Sequence, residues 1–526
     1  MGLLALHVAY QGDHPIFFYG GFYLGPLEGY AAAPLFHLFG ISLFTLRLPL
    51  VLCFTGFLLS MYYLVRLLYN SEKFALATVI LLGLGAPDVL FLQLRASGEY
   101  PEIEMFAALM CLLATGLALS SHGRGQESGW QERWKRIVIF GFLGLIVGIA
   151  LWVDLLILPF VATVGLLLLF FCYRELLRWP GLSLLLGFAV GAFPLIYYNL
   201  TAPLGQNSWD VLLRIHHAGT ADMLAQHLTW VDQITRTMIV ALPMATGGSL
   251  RCPLIAIPPS GSPTPATLPC VLFQGGWGVG YLILWFIAVC LAVSAVWRYL
   301  RRARAGITQS ASLEESQEVI RQCGRLMLLV SVGLTLWLYA ISPSSATGPD
   351  TTFRYLTCLL LAIPALLWPV WQGLRVQKIS LNWQTKKAGL LLRGGLLLLV
   401  TTMFVSGTVR TYMEISAARA VYQKQETLVQ DLLHVGATRV YSDYWTCNIL
   451  TFLSQEHIIC SALDEHLNPG YDRYLPYRYI VRAAPRPAYI FPAGTLQAEA
   501  MKQQVLLGNA HYRQHIFEGY VVYLVT

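Results

Sequence analysis

Long apolar runs alternate with short polar connections along most of the chain, and ten of these runs have the roughly 17 to 25 residues that a bilayer-crossing helix needs. They lie near residues 43–65, 74–93, 101–119, 137–153, 155–172, 180–197, 275–297, 325–342, 353–373 and 388–408. Past residue 409 the pattern changes. Residues 411–434 read as a helix, Thr438–Trp445 alternates with the period of a strand, and Cys447–Gln455 is again helical. Strands over His457–Ala462, Ala488–Phe491 and Gly519–Val525 and a helix over Leu496–Leu507 complete the expected tail. The expected fold class is an all-α polytopic membrane domain of about ten spans over 1–408, followed by a small soluble α/β domain over 409–526.

Composition agrees with this division. Hydrophobic residues make up 56% of the 526 positions and charged residues only 12%, against roughly 25% charged in soluble chains. The net charge of +7 does not indicate nucleic acid, because the basic residues sit in short loops between apolar runs. Arg66 and Lys73, Arg124 with Arg133, Lys135 and Arg136, Arg174 and Arg178, Arg298 to Arg304 with Arg321 and Arg325, and Arg375 to Lys387 occupy alternate connections. By the positive-inside bias these are cytoplasmic. The other connections are 1–42, 94–100, Asp154, 198–274 and 343–352; with the tail, they are expected outside, and they hold the acids that can do chemistry.

Three outer segments stand out. Gly12 to Tyr30 mixes aromatic residues and glycines with Asp13 and Glu28 and has no Lys or Arg, which suits one wall of an active site, with Phe17 to Tyr23 offering an apolar floor. A short interfacial helix is expected over Tyr30–Ser42. The second segment, Leu94 to Phe106, places Arg95, Glu99, Tyr100, Glu102 and Glu104 at the mouth of an apolar run, where charge is costly and tends to be functional. Pro101 suits a first helical turn, and acids at its positive end also have a purely structural use. The third carries Asp350, Arg354 and Tyr355. A guanidinium there forks onto phosphate oxygens or reaches ordinary lipid phosphates.

Other polar positions carry less. Asp154 marks a tight outer turn between two apolar runs. His216, His217, Asp222, His227 and Asp232 have no spacing that assigns metal ligands, so a divalent cation is a possible cofactor without a defined site. Cys252 and Cys270 bracket a Pro/Ser-rich loop, either stapling it or remaining free; Cys447 and Cys460 also fall outside.

Gly12-Asp13-His14-Pro15-Ile16-Phe17-Phe18-Tyr19-Gly20, Leu35-Phe36-His37-Leu38-Phe39-Gly40 and Leu46-Arg47-Leu48-Pro49 together resemble the opening of integral membrane glycosyltransferases of family 39 type. This family includes protein O-mannosyltransferases and the lipid A aminoarabinose transferase. Gly187 to Leu200 and the Asp350/Arg354-Tyr355-Leu356 segment are similar to later family segments. The resemblance implies a GT-C fold and transfer of a sugar from a polyprenyl-phosphate donor at the outer face, to an acceptor that is a lipid, glycan or protein. It implies an acid of the first outer loop acting on the acceptor hydroxyl. In the family that acid stands upstream of the His-Pro segment, after a first span. Met1 to Gln11 has no acid and no cleavable signal. Three alternatives follow: the first membrane helix is missing from the chain, Asp13 substitutes, or activity is lost. Asp13, Glu102 and Glu104 are the candidate catalytic residues. Candidate substrate contacts are His14, Arg95, Glu99, Tyr100, Asp350, Arg354 and Tyr355. The rival expectations are a non-enzymatic membrane assembly protein and a transporter of a lipid-linked substrate; the latter predicts charge deep in several spans and symmetric halves.

Overall fold

The computed structural model describes residues 1–96, 98–121, 130–249, 268–304, 313–375, 383–507 and 512–525. It divides into two compact units.

The membrane unit comprises Tyr23–Gly25 and Leu50–Thr411. Among the described residues of the chain, eight helices are long and apolar enough to cross a membrane, and up to ten if two bent pairs count as spans. All ten expected runs are found. One bent pair is Glu72–Leu84 with Pro87–Leu94, turned by 79°. Gly85 adopts φ +60°, a conformation that other residues reach only with strain, and Pro87 has no N–H to continue the ladder. The break leaves carbonyls without helical partners, and Thr408 supplies one: its hydroxyl donates to the Leu84 and Gly85 carbonyls, while Gly407 lets the backbones meet at Pro87.

The second pair, Trp179–Gly191 with Phe193–Thr201, bends by 60°. Its first limb packs along Trp130–Val153 with almost no side chain between. A Cβ on Gly144 would strike the Leu184 carbonyl, one on Gly187 the Gly141 carbonyl, and one on Gly191 the Leu145 carbonyl. Two facing Gly-x-x-x-Gly steps, 144/148 and 187/191, create this close approach.

Pro349–Gly373 is the most internal span, 78% buried against 6% for Gly389–His434. It contains ten residues of 3₁₀ helix, Phe353–Ala362, far longer than the usual three or four. A 3₁₀ turn holds three residues, so Arg354 and Thr357 share a face.

The second unit comprises Met1–Phe22, Pro26–Pro49 and Tyr412–Thr526. It holds a mixed five-stranded sheet of β1 (Arg439–Ser442), β2 (Ile459–Ala462), β3 (Ala488–Pro492), β4 (Tyr512–Phe517) and β5 (Tyr520–Val525), in the order β2-β1-β3-β5-β4. β1 pairs in parallel with β2 and β3, and β5 is antiparallel to β3 and β4. Val440, Ile490 and Val522 from three strands pack with Leu428, Leu432 and Leu450 from flanking helices. A disulfide joins Cys447 and Cys460.

Three details differ from the sequence expectation. The strand expected over Thr438–Trp445 stops at Ser442, because the Asp443 side chain accepts from the Trp445 and Thr446 amides and starts the helix Tyr444–Leu453. Edge strand β4 and helix Pro476–Arg482 were not expected. The interfacial helix begins and ends earlier, at Leu27–Phe39. The Cys252–Cys270 pairing lies outside the described residues, because Cys252 does.

Candidate functional site

Helix Tyr100–Ser121 organises the site in the membrane unit. Gly98, at φ +144°, turns the chain into it, the Glu99 carbonyl accepts its first helical bond from Ile103, and Pro101 occupies its first turn. At about 100° per residue, Glu99 and Glu102 fall on one face and Tyr100 and Glu104 on another. All four are buried.

The Tyr100/Glu104 face meets the Arg354/Thr357 face of the 3₁₀ helix. The Arg354 guanidinium lies 5.9 Å from the centre of the Tyr100 ring and 5.5 Å from that of Tyr355, within reach of a cation–π attraction. Thr357 is buried on the facing 3₁₀ helix. Gln93, on the short limb after the 79° break, donates to Glu104 Oε2 at 2.6 Å. Glu102 is held differently: both its carboxylate oxygens are buried without a hydrogen-bond partner among the described residues. A buried carboxylate is costly unless something pairs with it.

Asp154 completes the group. It is 7% exposed, its Oδ1 accepts from the Leu156 amide at 3.0 Å, and the Arg354 charge acts on it. Burial pushes its carboxyl up to about 6, with the Leu156 bond and Arg354 opposing. Next to it, Gly25 donates to the Val153 carbonyl at 3.0 Å, and any side chain there would meet the Trp152 carbonyl.

Of the sequence candidates, Glu99, Tyr100, Glu102, Glu104, Arg354 and Tyr355 lie in this region of the membrane unit. Arg95 lies over the Phe91 ring at 5.1 Å, and Asp350 is exposed. Asp13 and His14 belong to the other unit, where His14 is exposed and Asp13 accepts from the Tyr19 hydroxyl at 2.7 Å. Phe18 of the aromatic run lies against Arg473 at 4.5 Å, in the same unit. Among the described residues no group of three or more His, Cys, Asp or Glu side chains is arranged to hold a metal ion.

Asp154 and Gln93 were not singled out for chemistry from sequence; a lone acid or amide at the end of an apolar run is the signal that marks them. A network in the second unit carried no such signal. Buried His7 bonds Tyr19 through Nδ1 at 2.8 Å, and Glu456 and Tyr477 through Nε2 at 3.0 Å each. Tyr19 gives its proton to Asp13 and Tyr477 gives its own to Glu456. Both hydroxyl protons therefore go to carboxylates, and His7 sits between the two pairs. Burial alone would raise the Glu456 carboxyl, but the bonds from His7 and Tyr477 outweigh it and hold it below its ordinary range.

No family model and no curated protein sequence matches the chain. Among solved structures, ArnT from Cupriavidus metallidurans bound to undecaprenyl phosphate is similar over 99% of this chain and 92% of that one, at 12% identity and a TM-score of 0.50. The chain has the GT-C fold. The apo state of the same ArnT matches over the same shares at 14% identity and a TM-score of 0.46. The archaeal oligosaccharyltransferase AglB from Archaeoglobus fulgidus, in complex with an inhibitory peptide and a dolichol-phosphate, matches over 100% of this chain and 69% of that one, at 11% identity and a TM-score of 0.45. The fold assignment rests on the first of these.

Proposed function

We propose that this membrane protein transfers a sugar from a polyprenyl-phosphate donor to an acceptor at the outer face of the membrane. The observation that carries the proposal is that a buried carboxylate without a hydrogen-bond partner among the described residues, Glu102, and a half-buried guanidinium, Arg354, stand at the same end of helix Tyr100–Ser121, where Arg354 faces the Tyr100 ring. Such a pair matches what glycosyl transfer requires. A carboxylate takes the acceptor proton as oxygen bonds to the anomeric carbon, and a cation steadies the lipid phosphate as it leaves with its added charge.

Glu102 is the better base, since Gln93 already occupies Glu104. Asp154 and the rings of Tyr100 and Tyr355 orient Arg354. Asp13, held by Tyr19, is the candidate acid of the first outer loop. The GT-C fold, seen in ArnT bound to undecaprenyl phosphate, supports a lipid-phosphate donor. The Cys447–Cys460 disulfide favours an oxidising compartment for the soluble unit, in keeping with the charge bias of the loops.

The test is a transfer assay in lipid nanodiscs with labelled polyprenyl-phosphate sugars, comparing wild type, Glu102→Gln and Arg354→Ala. Each variant is expected to lose about 100-fold or more in rate. Wild-type rates in both would remove the site assignment; no transfer from any such donor by the wild type would remove the activity.

A further inference from the structure

The soluble unit contains a crevice that plays no part in the proposed transfer chemistry. In the sheet order β2-β1-β3, the chain leaves β1 for β2 on one side and then crosses back to β3 on the other. Loops at the carboxyl ends of such parallel strands diverge and leave a cleft, the usual place for a ligand in open α/β sheets. Residues after each of the three parallel strands line a crevice of about 450 Å³ here: Asp443 and Trp445 after β1, Asp464, Glu465 and His466 after β2, and Gln497 beyond β3. That volume is within the roughly 300–1,000 Å³ of small-molecule sites.

Its chemistry narrows the ligand. Trp445 is 63% exposed despite being the largest apolar side chain in the crevice, and a flat indole suits the C–H face of a pyranose ring. One Asp443 oxygen caps the helix Tyr444–Leu453, while Oδ2 is buried without a hydrogen-bond partner among the described residues. An acceptor left open in this way calls for an O–H or N–H donor from elsewhere. Asp464 is held ionised by the Asn468 and His466 amides, its carboxyl below the ordinary range. The acids are not gathered as a metal site, since no described cluster qualifies as one. Carboxylates and an amide around an exposed indole bind sugar hydroxyls, and the negative charge repels anionic ligands.

We infer that this crevice is a saccharide-binding site that accepts neutral or amino-substituted sugars and rejects acidic ones. The inference is independent of the transferase proposal, because it concerns binding by the soluble unit alone.

The experiment uses the full chain in nanodiscs free of glycosidic detergent, with methyl glucoside, glucosamine and glucuronate as probes. Saturation-transfer NMR is expected to show binding of the first two and none of glucuronate. Trp445→Ala and Gln497→Ala are each expected to weaken it at least tenfold, with the far-UV circular dichroism of both unchanged. No signal for either of the first two sugars, equal signal for glucuronate, or undiminished binding in both variants would overturn the assignment.

Discussion

Gln93 donates to Glu104 at 2.6 Å, so the limb beyond a 79° helix break holds the carboxylate of a different helix. Gln93→Leu removes the donor and leaves Glu104 buried without that hydrogen bond. The expected cost is about 1–3 kcal/mol, read as a lower apparent Tm in nanodiscs. Glu104→Gln keeps a carbonyl oxygen that can accept from Gln93 and is expected to cost less.

Asp154 links stability to pH. Its folded value, about 6, lies above the ordinary 3.8 because burial disfavours the charge. A raised carboxyl stabilises the fold fully below 3.8, and that contribution is lost as pH rises to about 6. Relative to Asp154→Asn, wild-type stability is therefore expected to fall across this window, by on the order of 3 kcal/mol, and to run parallel above it. Thermal unfolding of both proteins from acidic to neutral pH tests this; parallel profiles throughout would refute the assignment.

The glycine seam has a sharp steric signature. Gly187→Leu drives a side chain into the Gly141 carbonyl and is expected to cost at least about 2–3 kcal/mol. Gly165 has nothing within 4 Å of where its Cβ would stand, so Gly165→Leu serves as the tolerated control. Comparing the folded yields of the two variants by size-exclusion chromatography decides the point.

His7 connects Asp13, through Tyr19, to Glu456 and Tyr477. His7→Phe fills similar space but strands these groups, with an expected cost of about 3 kcal/mol. Faster hydrogen exchange at both 1–22 and 452–480 is the expected readout. A change confined to the first segment would contradict the network.

Apolar length alone made the spans legible, because each run from 43–65 to 388–408 must satisfy its own backbone in hydrocarbon. Gly85 and Pro87 are helix breakers by type, yet the hydropathy continues through them, so the single apolar run 74–93 hides the bend. In β4, Arg513, Gln514 and His515 interrupt the apolar alternation, as an edge strand permits. Glu99, Tyr100, Glu102 and Glu104 were readable because charge at an apolar mouth is costly. Asp154 looked like an ordinary turn residue, and no local pattern brings His7 to Glu456 across 449 positions.

Thr408 has a reach beyond its own surroundings. Its hydroxyl splints the broken end at Leu84, three residues before the limb that carries Gln93 begins. A valine there would keep the shape but take the hydroxyl away from the Leu84 carbonyl, and the limb would drift toward a straighter course to recover the lost bond. The damage would register at Glu104, a group Thr408 does not touch, so a variant far from the acids would read in an assay as though an acid itself had been changed.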